Sequence, residues 1–142
     1  MNPSSIDRKV VTQRASWVLE SLEALEDLPL RDRAEFLRNR HNVAAAESYL
    51  RRSLEALFDI GRHILAKKYG IPVVEYKEIA KRLFEKNVLS ADEAEWMRKM
   101  AGYRNRMVHF YHEVSAEELH DICLNRLGEI RTLLRRMLES IG

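Results

Sequence analysis

The apolar residues of this chain recur at alternating spacings of three and four, which is the period of one face of an α-helix. The first such stripe consists of Val11, Ala15, Val18, Leu22 and Leu25. Leu28 and Pro29 follow it, and proline disfavours helix in the residue before it. We therefore predict a helix from about Ser5 to Asp27, with Ser4 or Ser5 as its N-terminal cap.

A second apolar stripe predicts a helical segment that reaches Tyr69, and its pattern allows a break near residues 39–42. The stripe consists of Ala46, Leu50, Leu54, Leu57, Gly61 and Ile64. The missing side chain of Gly61 on this face would let a neighbouring helix or subunit approach closely. The segment 70–72 reads Gly-Ile-Pro, a sequence typical of the end of a helix.

Three further helical segments follow. A short stripe predicts a helix that ends near Asn87; it consists of Tyr76, Ile79, Ala80, Leu83 and Phe84. Ser90 and Glu93 form a capping box, so the next helix should begin at Ala91. A second capping box at residues 115–118 predicts one last helix to about Ile141. The pattern as a whole predicts an all-α fold, an up-down bundle of four to five helices in a single domain over residues 1–142.

Composition agrees with a helical domain that needs no disulfide or metal for its stability. Glycine and proline are scarce among the 142 residues, with five and three copies. The single cysteine excludes an internal disulfide and is typical of a reducing compartment. Because Cys123 lies on an apolar stripe, we expect a buried, unreactive thiol.

Charge and hydropathy limit where the protein acts and what it binds. The formal net charge is only +2, which argues against a protein that coats nucleic acid. Any RNA binding would require basic residues concentrated on one face. We find no signal peptide, and no apolar run approaches the roughly 20 residues of a membrane span, so we expect a cytoplasmic protein without membrane contact.

The candidate chemistry is concentrated between Tyr103 and His112, a stretch with two arginines, an asparagine, two histidines and two tyrosines. Imidazole transfers protons near neutral pH, and guanidinium binds phosphate oxygens. In a straight helix Asn105 and His109 share a face, whereas Arg104 lies about 7.5 Å from His109 along the axis. This spacing suits two groups that bind one phosphodiester better than it suits a salt bridge or a metal site. We expect no metal and no cofactor.

A purely structural interpretation of the same stretch stays open at this point. Cations at the end of a helix complement the negative end of its dipole and need no substrate. Arg106 and His112 can be ordinary solvated residues. His63 is four residues from Asp59, a spacing that predicts a weak helical pair, and we assign no role to the histidines outside the stretch.

The set Arg104, Asn105, His109 and Tyr111, in the pattern Arg-Asn-x-x-x-His-x-Tyr, resembles the signature of HEPN-domain ribonucleases. More narrowly, the chain is similar to HepT, the toxin of HepT/MntA toxin–antitoxin pairs. The order of the predicted helices agrees with this resemblance. It implies a HEPN-like bundle that acts as a metal-independent endoribonuclease, with Arg104 on the phosphate, His109 as acid or base, and Asn105 in support.

The resemblance also implies partners. The substrate would be RNA, and a homodimer would bring two copies of the motif into one cleft. An MntA-like nucleotidyltransferase antitoxin would silence the toxin by attaching AMP to Tyr111, because adenylate adds bulk and negative charge two residues from His109. Two alternatives remain: a non-catalytic HEPN subunit that binds nucleotide or substrate for a nucleotidyltransferase, and a purely structural helical dimer.

Overall fold

The computed structural model describes residues 5–109 and 114–142, and all regular secondary structure in these two ranges is helical. The helices are α1 (Arg8–Glu26), α2 (Arg33–Arg38), α3 (Arg40–Tyr69), α4 (Tyr76–Glu85), α5 (Ala91–Val108), α6 (Ala116–Asn125) and α7 (Leu127–Ser140). The prediction of an all-α bundle is confirmed. The described residues contain seven helices instead of four or five, because two of the predicted helices are each divided in two.

The break between α2 and α3 was predicted, and the break between α6 and α7 was not. Asn39 is extended, and its side chain accepts a hydrogen bond from the backbone N–H of His41, so it ends α2 and caps α3. The predicted last helix is divided at Arg126. Asn125 and Gly128, which both have low helix propensity, flank this point. The apolar stripe continues across the break and therefore conceals it in the sequence.

The cap of α1 also differs from its prediction. Asp7, and not a serine, caps the helix, because its carboxylate accepts hydrogen bonds from the backbone N–H groups of Lys9 and Val10. The backbone N–H of Asp7 donates to Nε2 of His63 on α3 at 3.0 Å. His63 therefore contacts the start of α1, and the expected pair with Asp59 is absent among the described residues.

Helix α3 is the centre of the bundle and packs against each of the other six described helices. Helix α1 runs antiparallel to it, since Asp7 pairs with His63 and Arg14 pairs with Asp59. At Gly61 an added Cβ would lie only 2.9 Å from Cγ2 of Ile79. The predicted close approach of a neighbouring helix at this glycine is confirmed, and the neighbour is α4.

Two of the buried side chains in this core are titratable. Cys123 is 1% exposed, and burial raises the pKa of its thiol to about 12, which confirms the prediction of a buried cysteine. Nε2 of His120 lies 2.7 Å from the carbonyl oxygen of Leu30, and Nδ1 of the same ring lies 3.2 Å from Nη1 of Arg33. Because arginine only donates, Nδ1 accepts and Nε2 carries the proton. His120 thus ties α6 to the turn before α2.

None of the helices in the described ranges has the length and apolar character that crossing a membrane requires.

Candidate functional site

Helix α5 carries the candidate residues at its C-terminal end. Its start is fixed by the predicted capping box, in which Ser90 and Glu93 exchange hydrogen bonds of 2.8 and 3.2 Å. The helix ends at Val108, and His109 follows in an extended conformation with its N–H bonded to the carbonyl oxygen of Asn105. Asn105 therefore opens the last turn, Arg104 directly precedes it, and His109 is exposed where the chain leaves the helix.

The guanidinium of Arg104 is held on three sides. Its Nε and Nη2 donate to one carboxylate oxygen of Glu55 on α3, at 3.3 and 3.1 Å. Its Nη1 donates to Oδ1 of Asn105 at 3.3 Å. Its Cζ lies 4.5 Å from the centre of the Tyr76 ring, a cation–π distance. Arg104 is thus fixed in orientation although it belongs to a surface helix.

Three of the five N–H groups of Arg104 donate hydrogen bonds in these contacts. The other two N–H groups donate to no residue in the described ranges. A guanidinium with two available donors can bind the oxygens of a phosphate. The side chain is 26% exposed, which leaves it within reach of a ligand.

Tyr76 is the first residue of α4 and is itself rigidly held. Its ring stacks on the buried ring of Phe58, with centroids 4.5 Å apart and planes within 6°. Arg62 fixes the segment before α4 by donating to the carbonyl oxygens of Val73 and Val74 at 3.1 and 2.8 Å. Burial raises the pKa of the Tyr76 phenol despite the nearby charge of Arg104, so the ring stays neutral.

A pocket of about 550 Å³ opens beside these side chains. It is lined by Arg62, Val74, Glu75, Tyr76, Lys77, Arg104 and Asn105. Its lining contains three cationic side chains and one carboxylate, although the whole protein carries a formal charge of only +2. Arg104 and Arg62 are each paired with a carboxylate outside this lining, and Lys77 is the lining cation without an ion pair among the described residues.

The structure brings only some of the predicted site residues together. Arg104 and Asn105 line the same pocket, and no hydrogen bond joins the side chains of Arg104 and His109 among the described residues, as their spacing predicts. Tyr111 and His112 lie outside the described residues. Arg106, expected to be solvated, instead forms a two-pronged ion pair with Glu118 on α6, at 2.5 and 2.7 Å.

The same ion pair explains a second departure from the predictions. Ser115 caps α6, because its hydroxyl accepts a hydrogen bond from the backbone N–H of Glu118. The carboxylate of Glu118 is directed to Arg106, so the reciprocal half of the expected capping box is not made. The contact links the last turn of α5 to the start of α6.

Sequence reasoning did not identify Glu55 and Tyr76 as neighbours of the candidate arginine. Glu55 lies 49 residues before Arg104, and no local pattern connects the two positions. Tyr76 had been counted only as part of an apolar stripe. The packing of α3 and α4 against α5 brings these residues together.

Comparisons with solved structures show the same fold. A Shewanella oneidensis HEPN toxin, tri-AMPylated and in complex with an MNT antitoxin, superposes with a TM-score of 0.83 at 17% identity, over 92% of this chain and 97% of that chain. A toxin–antitoxin structure with AMP-PNP gives a TM-score of 0.81 at 16% identity, over 90% and 97% of the two chains. YutE, a cytosolic protein of unknown function from Bacillus subtilis, gives 0.82 at 15% identity, over 97% and 92%.

At these identities the likeness to solved structures establishes a HEPN-like fold, and a search of curated protein sequences gives no match. The family model described as "Ribonuclease HepT-like" matches residues 18–137, which is most of the chain. Helix α5, which carries Arg104 and Asn105, lies entirely within this match. The chain therefore belongs to the HepT-like ribonuclease family.

Proposed function

We propose that this protein is a metal-independent endoribonuclease toxin of a toxin–antitoxin pair and acts in the cytoplasm. The observation that carries the proposal is the setting of Arg104: an oriented guanidinium, with two N–H groups that no described residue accepts, beside a pocket whose lining includes Arg62 and Lys77. His109 lies at the end of the same helix and is exposed to a substrate. Membership of a ribonuclease family supports RNA as the substrate.

The proposed reaction uses the 2′-hydroxyl of RNA as the nucleophile. A base removes the 2′-hydroxyl proton while the 2′-oxygen bonds to phosphorus, and an acid protonates the departing 5′-oxygen as its bond to phosphorus breaks. Arg104 binds the non-bridging oxygens and stabilises their charge in the transition state. His109 transfers protons, and Asn105 supports Arg104 through the 3.3 Å contact. The products are a 2′,3′-cyclic phosphate and a 5′-hydroxyl.

We propose that the active species is a homodimer with its two motifs facing one cleft. One imidazole cannot act as both base and acid in a concerted step, and a second copy of His109 supplies the missing group. A monomer in light scattering at micromolar concentration, with cleavage retained, would contradict this arrangement.

We also propose control by a nucleotidyltransferase antitoxin that attaches AMP to Tyr111. The tri-AMPylated state of the Shewanella oneidensis toxin, seen in complex with an MNT antitoxin, supports this mode of control. The added phosphate would repel RNA near His109. Mass spectrometry after co-expression with the partner should find the adduct on Tyr111 and no neutralising adduct in Tyr111→Phe. An adduct on another residue would overturn the assignment.

The test of the activity is incubation of the purified, unmodified protein with RNA in EDTA. We expect cleavage by the wild type and by His41→Ala, a control at an exposed histidine on α3. We expect none by His109→Ala, which should keep the wild-type helical circular dichroism. Nucleotide binding without any cleavage would instead favour the non-catalytic HEPN subunit.

A further inference from the structure

The ring of Tyr76 provides the surface against which Arg104 lies. We propose that Tyr76 is a positioning residue for Arg104: its ring, supported by Phe58, fixes the plane of the guanidinium so that the two remaining N–H donors face the RNA phosphate. This inference rests on the proposed function, because it assigns Tyr76 to the same cleavage site. It adds a residue from α4 to a site otherwise built on α5.

Glu55 alone does not define the plane of the guanidinium. Both contacts from Arg104 converge on a single oxygen of Glu55, and an arrangement of this kind lets the guanidinium rotate about that point. The other oxygen of Glu55 accepts a hydrogen bond from Arg51 at 3.2 Å. The hydrogen bond to Asn105 holds Nη1, and the ring face 4.5 Å from Cζ adds a constraint that neither carboxylate nor amide provides, because it bounds the guanidinium on one side.

The ring can serve this purpose because it does not move freely. Phe58, which is fully buried, stacks on it with planes within 6°, and the backbone before Tyr76 is fixed by Arg62. The phenol hydroxyl makes no hydrogen bond within residues 5–109 and 114–142. The contact with Arg104 is made by the aromatic face of the side chain.

A second arginine, Arg62, lies farther from the same ring than Arg104 does. Cζ of Arg62 lies 5.6 Å from the same ring centre. Its Nε, Nη1 and Nη2 all donate to groups of the protein, namely to the carboxylate of Asp59 and to two backbone carbonyl oxygens. Arg62 and Arg104 therefore each use three of their five N–H groups, and the shorter distance to the ring centre, 4.5 Å against 5.6 Å, distinguishes Arg104.

The experiment measures kcat and KM for RNA cleavage in EDTA with Tyr76→Leu, Tyr76→Phe and Arg104→Ala. A displacement of about 1 Å can cost on the order of 100-fold in rate, so kcat should fall by this order in Tyr76→Leu. KM should change by less than about threefold, because the contact matters most in the transition state. Tyr76→Phe keeps the aromatic face and should stay within about threefold of the wild-type kcat.

Tyr69→Leu is the matched control. Tyr69 is also half-buried and also lies beside cations, since Nζ of Lys68 and Nζ of Lys86 are 5.6 and 5.7 Å from its ring centre. It makes no contact with Arg104 among the described residues. Its substitution should lower the melting temperature to a similar extent and leave kcat unchanged. Tyr76→Met, which fills the volume without an aromatic face, replaces Tyr76→Leu if leucine prevents folding.

The double variant Tyr76→Leu/Arg104→Ala completes the test. If Tyr76 acts through Arg104, the double variant cleaves no more slowly than Arg104→Ala alone. A folded Tyr76→Leu or Tyr76→Met with wild-type kcat, or a double variant with fully multiplied losses, would overturn the positioning role. Wild-type cleavage by Arg104→Ala would instead remove the proposed function, and with it this inference.

Discussion

The carboxylate of Glu55 lies 3.1 Å from Nη2 and 3.3 Å from Nε of Arg104, and this contact joins α3 to α5 at the candidate site. Both side chains are partly exposed, at 31% and 26%, so the pair should contribute no more than about 1 kcal/mol to stability. Its importance is orientation, because it holds the edge of the guanidinium formed by Nε and Nη2, while Nη1 donates to Asn105.

Glu55→Ala should therefore impair cleavage more than it impairs folding. We expect kcat to fall about tenfold, as the guanidinium loses one of its constraints. The free energy of unfolding in urea should change by less than about 1 kcal/mol. The control is Glu26→Ala, which removes an exposed ion pair with Arg131 away from the site. Unchanged kcat in Glu55→Ala would show that the contact does not orient Arg104.

The helices themselves could largely be predicted from sequence, because their signals are local. The spacing of apolar residues identified the helical segments, Asn39 gave the predicted break, and the capping box at Ser90 gave the first residue of α5. The division at Arg126 was missed because apolar residues continue through it. The cap at Asp7 was missed although its signal is local, because Ser4 and Ser5, which are equally good capping residues, directly precede it in sequence.

Gly61 should tolerate no side chain. In Gly61→Ala the new Cβ would meet Cγ2 of Ile79 at 2.9 Å and Cδ1 of Leu83 at 3.1 Å, so these side chains of α4 must shift. Overpacking should cost about 1–3 kcal/mol, which exceeds the gain of about 1 kcal/mol in helix propensity. Gly128→Ala is the control, since a Cβ added at this position in α7 would meet no atom of a neighbouring helix within 4 Å. Urea unfolding should show the first variant destabilised and the second unchanged or stabilised.

His120 should be a structural residue. In His120→Ala the buried carbonyl oxygen of Leu30 loses its hydrogen-bond donor, and Arg33 loses one acceptor. We expect a loss of about 1–3 kcal/mol in the free energy of unfolding. His41→Ala, at an exposed position, should change it by less than about 0.5 kcal/mol. Equal stability of the two variants would contradict the role of His120 in fixing α6.

His63 should make stability depend on pH. Burial, and then the charge of Lys67, lower its pKa below the ordinary value of about 6.5, although Asp7 opposes the change. Between the two pKa values the unfolded chain binds more protons, so this stabilisation is complete above about pH 6.5 and is lost as the pH falls through the folded pKa. From pH 7.5 to about 5.5 the wild type should lose more stability than His63→Gln, which cannot titrate. Parallel losses in urea unfolding would exclude this contribution.

The candidate site was only partly predictable for a physical reason. The motif supplied Arg104, Asn105 and His109, because these residues are close in sequence and share one helix end. Glu55 and Tyr76 come from other helices, and their contacts with Arg104 exist only once the bundle has formed. Tyr111 lies outside the described residues, so its role stays a prediction.

The most direct test of the account is the chemistry of the RNA ends produced in EDTA. Purified wild-type protein should cut a labelled RNA to leave a 2′,3′-cyclic phosphate and a 5′-hydroxyl, because the 2′-oxygen attacks the phosphate. Arg104→Ala and His109→Ala should each lower the rate of cleavage by at least about 100-fold while they keep the wild-type helical circular dichroism. Products with a 3′-hydroxyl and a 5′-phosphate, or undiminished cleavage by His109→Ala, would contradict the proposed site.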